Sequence, residues 1–201
     1  MGRRSFPSPR FPVVKLLNAP NLVTLSRIVL IPLIIGIYYL PYEWLGLYEK
    51  NVFATAVFIL AAITDWLDGY LARRLNQMSA FGAFLDPVAD KLVVAGALLV
   101  LLQLERVEAL VAFIIIGREI AISALREWMA NVGKAKSVAV AFIGKVKTVS
   151  QLVAIPLLLF HDPLFGLIDC QWLGTVLINV AAVLTVASAL YYLRKALPHA
   201  L

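Results

Sequence analysis

The sequence predicts an all-α, polytopic membrane protein with six transmembrane helices and a short amphipathic N-terminal segment. The first observation is composition: 62% of the 201 residues are hydrophobic and only 15% are charged, which is more apolar than an ordinary soluble domain. The second is length, because several apolar runs approach or exceed the roughly 20 residues that a helix needs to cross a bilayer. The third is the absence of the apolar-polar alternation that is typical of strands.

The apolar runs set the domain organisation. They cover about 20–40, 51–72, 87–104, 108–129, 138–160 and 172–193. We therefore expect one membrane domain over 20–201, without an internal repeat or a soluble appendage. Residues 1–19 are basic and broken by prolines before they become mildly amphipathic, and no small-residue cleavage site follows the first apolar run. This pattern predicts a cytoplasmic or interfacial segment rather than a cleaved signal peptide.

Charged residues predict the orientation. With the amino terminus in the cytoplasm, only Lys50 and Arg106 of the 18 basic residues fall on the far side. Cytoplasmic loops retain Lys and Arg, so we expect a multi-pass protein of the inner, cytoplasmic membrane with both termini in the cytoplasm. The net charge of +6 is then explained by attraction to the anionic headgroups of membrane lipids, which we expect as partners. We expect no nucleic-acid binding.

Four aspartates lie beside or inside apolar segments. Asp65 and Asp68 are three residues apart on the second predicted helix, which places them on one face. A loop of about 76–85 then leads to Asp86 and Pro87, which we expect to be the N-cap and first turn of the third helix, with Asp90 one turn further along. The loop makes the two helices antiparallel, so both pairs of acids can meet at the cytoplasmic membrane boundary.

These acids predict a metal site. Carboxylates near hydrocarbon are costly and usually functional, so four of them require a strong partner. Oxygen ligands without Cys or His suit Mg²⁺ or Mn²⁺ better than Zn²⁺. Carboxylates in this number can bridge two ions, the arrangement that clamps phosphoryl oxygens during a displacement. The structural alternative is helix capping for Asp86 and interhelical salt bridges for the other three, with Arg73, Arg74 and Lys91 as partners.

The spacing of these residues resembles the signature of the CDP-alcohol phosphotransferase family. The matching positions are Asp65, Asp68, Gly69, Ala72, Arg73, Gly82, Asp86 and Asp90. The segments "NAPNLVTLSRIVLIP", "DPVADKLVVA", "REIAISALREWMA" and "GKVKTVSQLVA" are similar to the bacterial branch of the family that acts on glycerol 3-phosphate. The resemblance covers about residues 16–160.

The resemblance implies an enzyme and assigns roles to the motif. An acceptor hydroxyl, here that of sn-glycerol 3-phosphate, would attack the β-phosphorus of CDP-diacylglycerol, giving phosphatidylglycerophosphate and CMP. Asp65, Asp68 and Asp86 would bind two Mg²⁺ or Mn²⁺ ions, and Asp90 would contact metal and act as the general base. The residues implied to bind CDP-diacylglycerol are Asn21, Thr24, Asp68, Gly69, Ala72, Arg73 and Gly82. Helix capping explains Asn21 equally well.

A phosphorylated acceptor needs cations, and four lie on the cytoplasmic halves of the fourth and fifth spans: Arg118, Arg126, Lys145 and Lys147. Lys145 and Lys147 point about 200° apart on a helix, so both cannot face one cavity. Snorkelling to the interface explains Arg126 and Lys147, whereas Arg118 and Lys145 are expected to lie deeper. The family resemblance further implies a homodimer.

Three other functions remain open from the sequence. A related transferase could use phosphatidylglycerol, serine or an inositol phosphate as its acceptor, although the basic cluster favours a phosphorylated one. A cation transporter could bind its ion at the aspartates, but it would be expected to contain discontinuous helices related by an internal repeat. A noncatalytic scaffold would give Asp90 no purpose.

Overall fold

The described part of the chain folds into six α-helices. The structure is a computed structural model that describes residues 19–75, 80–132 and 142–197. Within these ranges no strand is present beyond one isolated bridge between Leu164 and Ile168. The helices are α1 (Ala19–Gly36), α2 (Leu47–Leu75), α3 (Ala80–Gln103), α4 (Ala109–Asn131), α5 (Phe142–Phe160) and α6 (Cys170–Ala196), with a 3-10 turn at Ile37–Tyr39. The predicted all-α class is confirmed, and the N-terminal segment 1–18 lies outside the described residues.

Two helix starts differ from the prediction. α3 begins at Ala80, so Asp86 and Pro87 lie inside it and Asp86 as N-cap is wrong. Proline removes only its own N–H bond to the preceding turn, and the residues before it in α3 still form helix. Asn21 is likewise inside α1, which is described from Ala19, so the capping interpretation of Asn21 is also wrong.

The helices pack as two groups, α1 with α2 and α3, and α6 with α4 and α5. α1 lies against α2 and α3, and α5 lies between α2 and α6, while α4 packs on α6 and α3. The largest core cluster joins all six helices through apolar side chains that include Ile34, Phe58, Leu101, Ile115, Leu158 and Ile178. Small buried residues such as Ala54 and Ala97 allow the helix backbones to approach closely. This packing brings the aspartates of α2 and α3 to the same end of the bundle as the start of α1.

The outer surface of the bundle is apolar. Large hydrophobic side chains such as Val29, Phe113 and Val183 are exposed along the helices rather than buried. Among the described residues, two stretches are long and apolar enough to cross a membrane, Leu47–Asp65 and Cys170–Ala196. A third apolar stretch, Thr24–Tyr39, spans most of α1 and the 3-10 turn and is shorter. The chain is a membrane protein, and crossing by all six helices remains a prediction.

A buried polar network holds the end of the bundle opposite the aspartates. Arg106, between α3 and α4, donates to the carbonyl oxygens of Leu158 (3.0 Å) and Leu159 (2.8 Å) and to Asn51 Oδ1 (3.1 Å). Tyr38 donates to the same Asn51 oxygen at 3.2 Å. Because the last carbonyls of a helix have no partner within it, the guanidinium completes the C-terminus of α5.

Close packing of α5 on α6 depends on Gly174. A Cβ at this position would lie 2.7 Å from Leu158 Cγ and 3.3 Å from the Ala154 carbonyl oxygen. We expect Gly174→Ala to lower the free energy of unfolding by about 1–3 kcal/mol, as overpacked cores do. Thermal unfolding in detergent micelles measures the change. Gly36→Ala is the matched control, because a Cβ there meets nothing within 4 Å and should not destabilise the protein.

Candidate active site

Arg27 connects two of the predicted aspartates. Its side chain is only 1% exposed and forms ion pairs with Asp65 on α2 and with Asp86 on α3, the latter at 3.4 Å between Nη2 and Oδ1. Thr24, one turn earlier on α1, donates its hydroxyl to Asp86 Oδ1 at 2.5 Å. The first three helices therefore meet at one polar cluster, with two carboxylates held by the same guanidinium.

Both carboxylates remain open on one side. The side chains of Asp65 and Asp86 are 49% and 46% exposed, in contrast to the buried Arg27. Thr24 is also buried, so the cluster has a fixed inner face on α1 and an accessible face of carboxylate oxygens. Such an arrangement can accept a ligand without first exposing the buried cation.

Asp90 lies beside a small cavity lined by both polar and apolar side chains. It is one helical turn after Asp86 on α3, so the two side chains project from the same face. With Glu119 of α4 and Thr148 and Gln151 of α5, Asp90 lines a cavity of about 90 Å³. Gln151 is buried, and its Nε2 has no hydrogen-bond partner among the described residues. The proposed base therefore adjoins a space with a hydrogen-bond donor available.

The donor atoms of this cluster fit a hard divalent cation. Asp65, Asp86 and Asp90 offer only carboxylate oxygens, which Mg²⁺ and Mn²⁺ prefer. In the described part of the chain, no three acidic, His or Cys side chains come close enough to hold a metal. Asp68 belongs to α2, but the structure does not describe its side chain. The carboxylates that share Arg27 thus provide suitable chemistry, and the predicted set of four stays a prediction.

The predicted donor-binding residues are only partly described. Thr24 lies in the cluster, and Gly82 is buried near the start of α3. The side chains of Asn21, Ala72 and Arg73 and the surroundings of Gly69 lie outside the described residues, as do 76–79. Their part in nucleotide binding stays a prediction.

Two of the predicted acceptor cations stack on one aromatic ring. The guanidinium carbons of Arg118 and Arg126 lie 5.7 and 5.0 Å from the centre of the Tyr192 ring. Arg118 also donates to Ser188 Oγ at 2.9 Å, and Arg126 donates to the Tyr192 hydroxyl at 3.1 Å. The Nε atoms of both arginines are buried without a hydrogen-bond partner in the described residues. This pair therefore keeps donors that an anion could use.

The structure reverses the expected depths of the two lysines. Lys147 is buried and forms an ion pair with Glu119, whereas Lys145 is exposed. Glu119 also lies 3.4 Å from Arg118 Nη1. Lys147 therefore faces α4 rather than the interface, because the packing of α5 turns this side of the helix inward. The interpretation of Lys147 as a snorkelling residue is wrong.

Two residues of this region received no role from the sequence. Arg27 gathers the carboxylates of α2 and α3, and Glu119 joins Lys147 and Arg118 beside the Asp90 cavity. In both cases the available signal was a charged residue inside an apolar run, which is costly unless it has a partner. The sequence could not show which aspartate or lysine each of them would meet.

Comparison with known proteins identifies the family to which the chain belongs. The family model described as CDP-alcohol phosphatidyltransferase matches residues 17–187, which include all four aspartates and both arginines of α4. The chain belongs to this family. CDP-alcohol phosphatidyltransferases generally use divalent metal ions, which agrees with the oxygen-only donor set.

Several curated CDP-alcohol phosphatidyltransferases are similar to the chain over most of its length. A protein of Salmonella choleraesuis is 48% identical over 181 residues, covering 89% of this chain and 94% of its own. Proteins of Shigella boydii and Escherichia coli are each 49% identical over 182 residues with the same coverage. All three are named CDP-diacylglycerol–glycerol-3-phosphate 3-phosphatidyltransferase.

Proposed function

We propose that the protein transfers a phosphatidyl group from CDP-diacylglycerol to sn-glycerol 3-phosphate, producing phosphatidylglycerophosphate and CMP. The observation that carries this proposal is the meeting of Asp65 and Asp86 at Arg27, with Asp90 one turn further on α3. An apolar bundle with accessible carboxylates at one end suits a substrate that has acyl chains and a charged pyrophosphate. The names of the relatives support the same reaction.

Asp90 is proposed as the general base. Its carboxylate takes the proton of the acceptor hydroxyl as that oxygen bonds to the β-phosphorus of CDP-diacylglycerol. The bond from this phosphorus to the oxygen that bridges the two phosphates breaks, and the electron pair leaves with CMP. Asp90 is suited to this role because it lines the cavity between α3, α4 and α5, where a hydroxyl can reach it.

Asp65, Asp68, Asp86 and Asp90 are the residues that would hold two Mg²⁺ or Mn²⁺ ions. When bound, such ions neutralise pyrophosphate charge and stabilise a leaving phosphate. Arg27 has a separate role in this proposal: it fixes the carboxylates of α2 and α3 relative to each other. Thr24, together with Asn21, Gly69, Ala72, Arg73 and Gly82, is proposed to contact the cytidine diphosphate, where Arg73 would bind phosphate.

Arg118 and Arg126 are proposed to bind the phosphate of the acceptor. Both are held by Tyr192 on α6, and both retain buried Nε donors without a partner in the described chain. Lys145 and Lys147 are proposed to contribute to the same acceptor site. Lys147 is held there by its ion pair with Glu119, and Lys145 is exposed and can contact a polar substrate directly. This density of cations favours an acceptor that carries a phosphate over serine.

Arg118→Ala should raise the Michaelis constant for glycerol 3-phosphate about ten- to a hundredfold, because loss of a charge-assisted hydrogen bond costs about 1.5–3 kcal/mol. The constant for CDP-diacylglycerol should change little, and Lys145→Ala should shift the acceptor constant in the same direction. Arg194→Ala, an exposed arginine near the end of α6, is the matched control. A selective loss of CDP-diacylglycerol binding would instead assign these cations to the donor pyrophosphate.

An acceptor panel tests the proposed activity. The purified protein is incubated with CDP-diacylglycerol and, in turn, glycerol 3-phosphate, phosphatidylglycerol, serine or an inositol phosphate, and CMP release is measured. We expect rapid release only with glycerol 3-phosphate. Release with another acceptor would identify a related transferase, and no release with any of them would contradict the proposal.

We also propose the membrane arrangement expected from the charges. Six spans place both termini and the aspartate cluster on the cytoplasmic side of the inner membrane, where both polar reactants are soluble. Residues 1–19 would lie in the cytoplasm or at the membrane surface. The protein is further proposed to be a homodimer. Labelling of single cysteines from each side, in a Cys170→Ser background, would report the orientation.

A further inference from the structure

A groove runs between α4 and α6 at the end of the bundle opposite the aspartates. Its first part has a volume of about 440 Å³, and its polar lining residues are Glu105, Arg106, Glu108, Gln171, Thr175 and Asn179. Its second part, of about 470 Å³, lies further along the same two helices and is lined mainly by apolar side chains, including Leu110 and Val183. Val111 and Asn179 line both parts, so the two parts adjoin, and most of the polar side chains lie in the first.

The polar part is lined by two carboxylates and one guanidinium. Glu105 and Glu108 are exposed and form no ion pair within the described ranges of the chain. Arg106 lies between them in sequence, but its guanidinium turns inward to the carbonyls of Leu158 and Leu159 and to Asn51. Because these three hydrogen bonds hold the guanidinium away from Glu105 and Glu108, the two carboxylates can pair with an external cation.

The side of α6 that faces this part is a polar stripe. Gln171, Thr175 and Asn179 are spaced by four residues each, so they follow one face of the helix for about 12 Å. The interfacial region of one leaflet is about 5–8 Å thick, so the stripe reaches from the bundle end to the start of the hydrocarbon. An amide and a hydroxyl at this depth can bind phosphate and ester oxygens, whereas below them the groove offers only apolar contacts.

We propose that this groove binds one phospholipid whose headgroup carries an ammonium group. The ammonium lies between Glu105 and Glu108, the phosphate accepts hydrogen bonds from Gln171 and Thr175, and an acyl chain follows Leu110 and Val183 between α4 and α6. Charge complementarity selects this occupant, because an anionic lipid would place a second negative charge beside the two carboxylates. The site uses none of the residues proposed for phosphatidyl transfer.

Native mass spectrometry tests the site. The purified protein is offered equal amounts of palmitoyl-oleoyl phosphatidylethanolamine and palmitoyl-oleoyl phosphatidylglycerol, and bound adducts are compared. We expect one ethanolamine lipid to be retained in preference, and Glu105→Gln with Glu108→Gln to lower that preference about fivefold, as partly exposed ion pairs allow. Glu43→Gln with Glu49→Gln, also exposed near this end but outside the groove, should leave the preference unchanged.

A second variant tests the acyl chain. Val183→Trp fills the apolar part, and because Val183 is exposed the change should not disturb folding. It should reduce the adducts of both lipids without changing their ratio. Equal retention of the two lipids by the wild type, or the same loss in the Glu43 and Glu49 control, would overturn the inference. CMP release measured on the same samples reports separately on the proposed function.

Discussion

Asp90→Asn is expected to lower turnover by about 10²–10⁴-fold while CDP-diacylglycerol still binds, because a positioned general base contributes a factor of this size. Asparagine keeps the shape of aspartate but cannot take the proton from the hydroxyl of glycerol 3-phosphate. Asp90 makes no hydrogen bond or ion pair with another described residue, so the substitution breaks no such bond within these ranges. Single-turnover release of CMP measures the chemical step, and equilibrium binding of CDP-diacylglycerol measures affinity.

Asp162→Asn is the control for this variant. Asp162 lies between α5 and α6 at the opposite end of the bundle, so the same chemical change there should leave turnover intact. If Asp90→Asn turned over near the wild-type rate, Asp90 would not be the base. Glu119, which lines the same cavity, would then be the next residue to replace.

Asp65→Asn should abolish most activity by a different route. It removes one carboxylate of the proposed metal set and one partner of the buried Arg27. We expect the affinity for Mn²⁺, measured by electron paramagnetic resonance, to fall about tenfold or more. The affinity for CDP-diacylglycerol should fall with it. Asp68→Asn should behave in the same way. Breaking one ion pair of a buried arginine should also lower thermal stability.

Metal removal provides the independent comparison for Asp65→Asn. Chelation of the wild type should abolish activity, and Mg²⁺ or Mn²⁺ should restore it, because only oxygen ligands are proposed. High concentrations of Mn²⁺ should partly restore Asp65→Asn but not Asp90→Asn, since the latter lacks its base. Activity that survives exhaustive chelation would contradict the two-metal proposal.

The sequence predicted the helices and the polar end of the bundle for simple physical reasons. Apolar runs long enough to cross a bilayer must form helices, because backbone hydrogen bonds cannot be left unsatisfied in lipid. Asp86 and Asp90 were correctly expected on one helix face, since residues four apart always share one. The pairing of Asp65 and Asp86 through one cation agrees with the expectation that α2 and α3 run antiparallel.

Other features depended on tertiary contacts that no local pattern contains. The start of α3 was misplaced because Asp-Pro is a typical helix start, yet the residues before it can also form helix. Spacing could not show which of Lys145 and Lys147 is buried, because it shows only that the two side chains point in different directions. Lys147 is the buried one because it pairs with Glu119 on α4, and the position of Glu119 relative to α5 follows from helix packing.

The most direct test of the central claim is the stoichiometry of the products. Purified protein with CDP-diacylglycerol, glycerol 3-phosphate and Mg²⁺ is analysed by mass spectrometry for phosphatidylglycerophosphate and CMP, alongside Asp90→Asn. We predict equal amounts of the two products from the wild type, and almost none from the variant or without the acceptor. CMP released without phosphatidylglycerophosphate, or equal product formation by Asp90→Asn, would contradict transfer of a phosphatidyl group at this aspartate cluster.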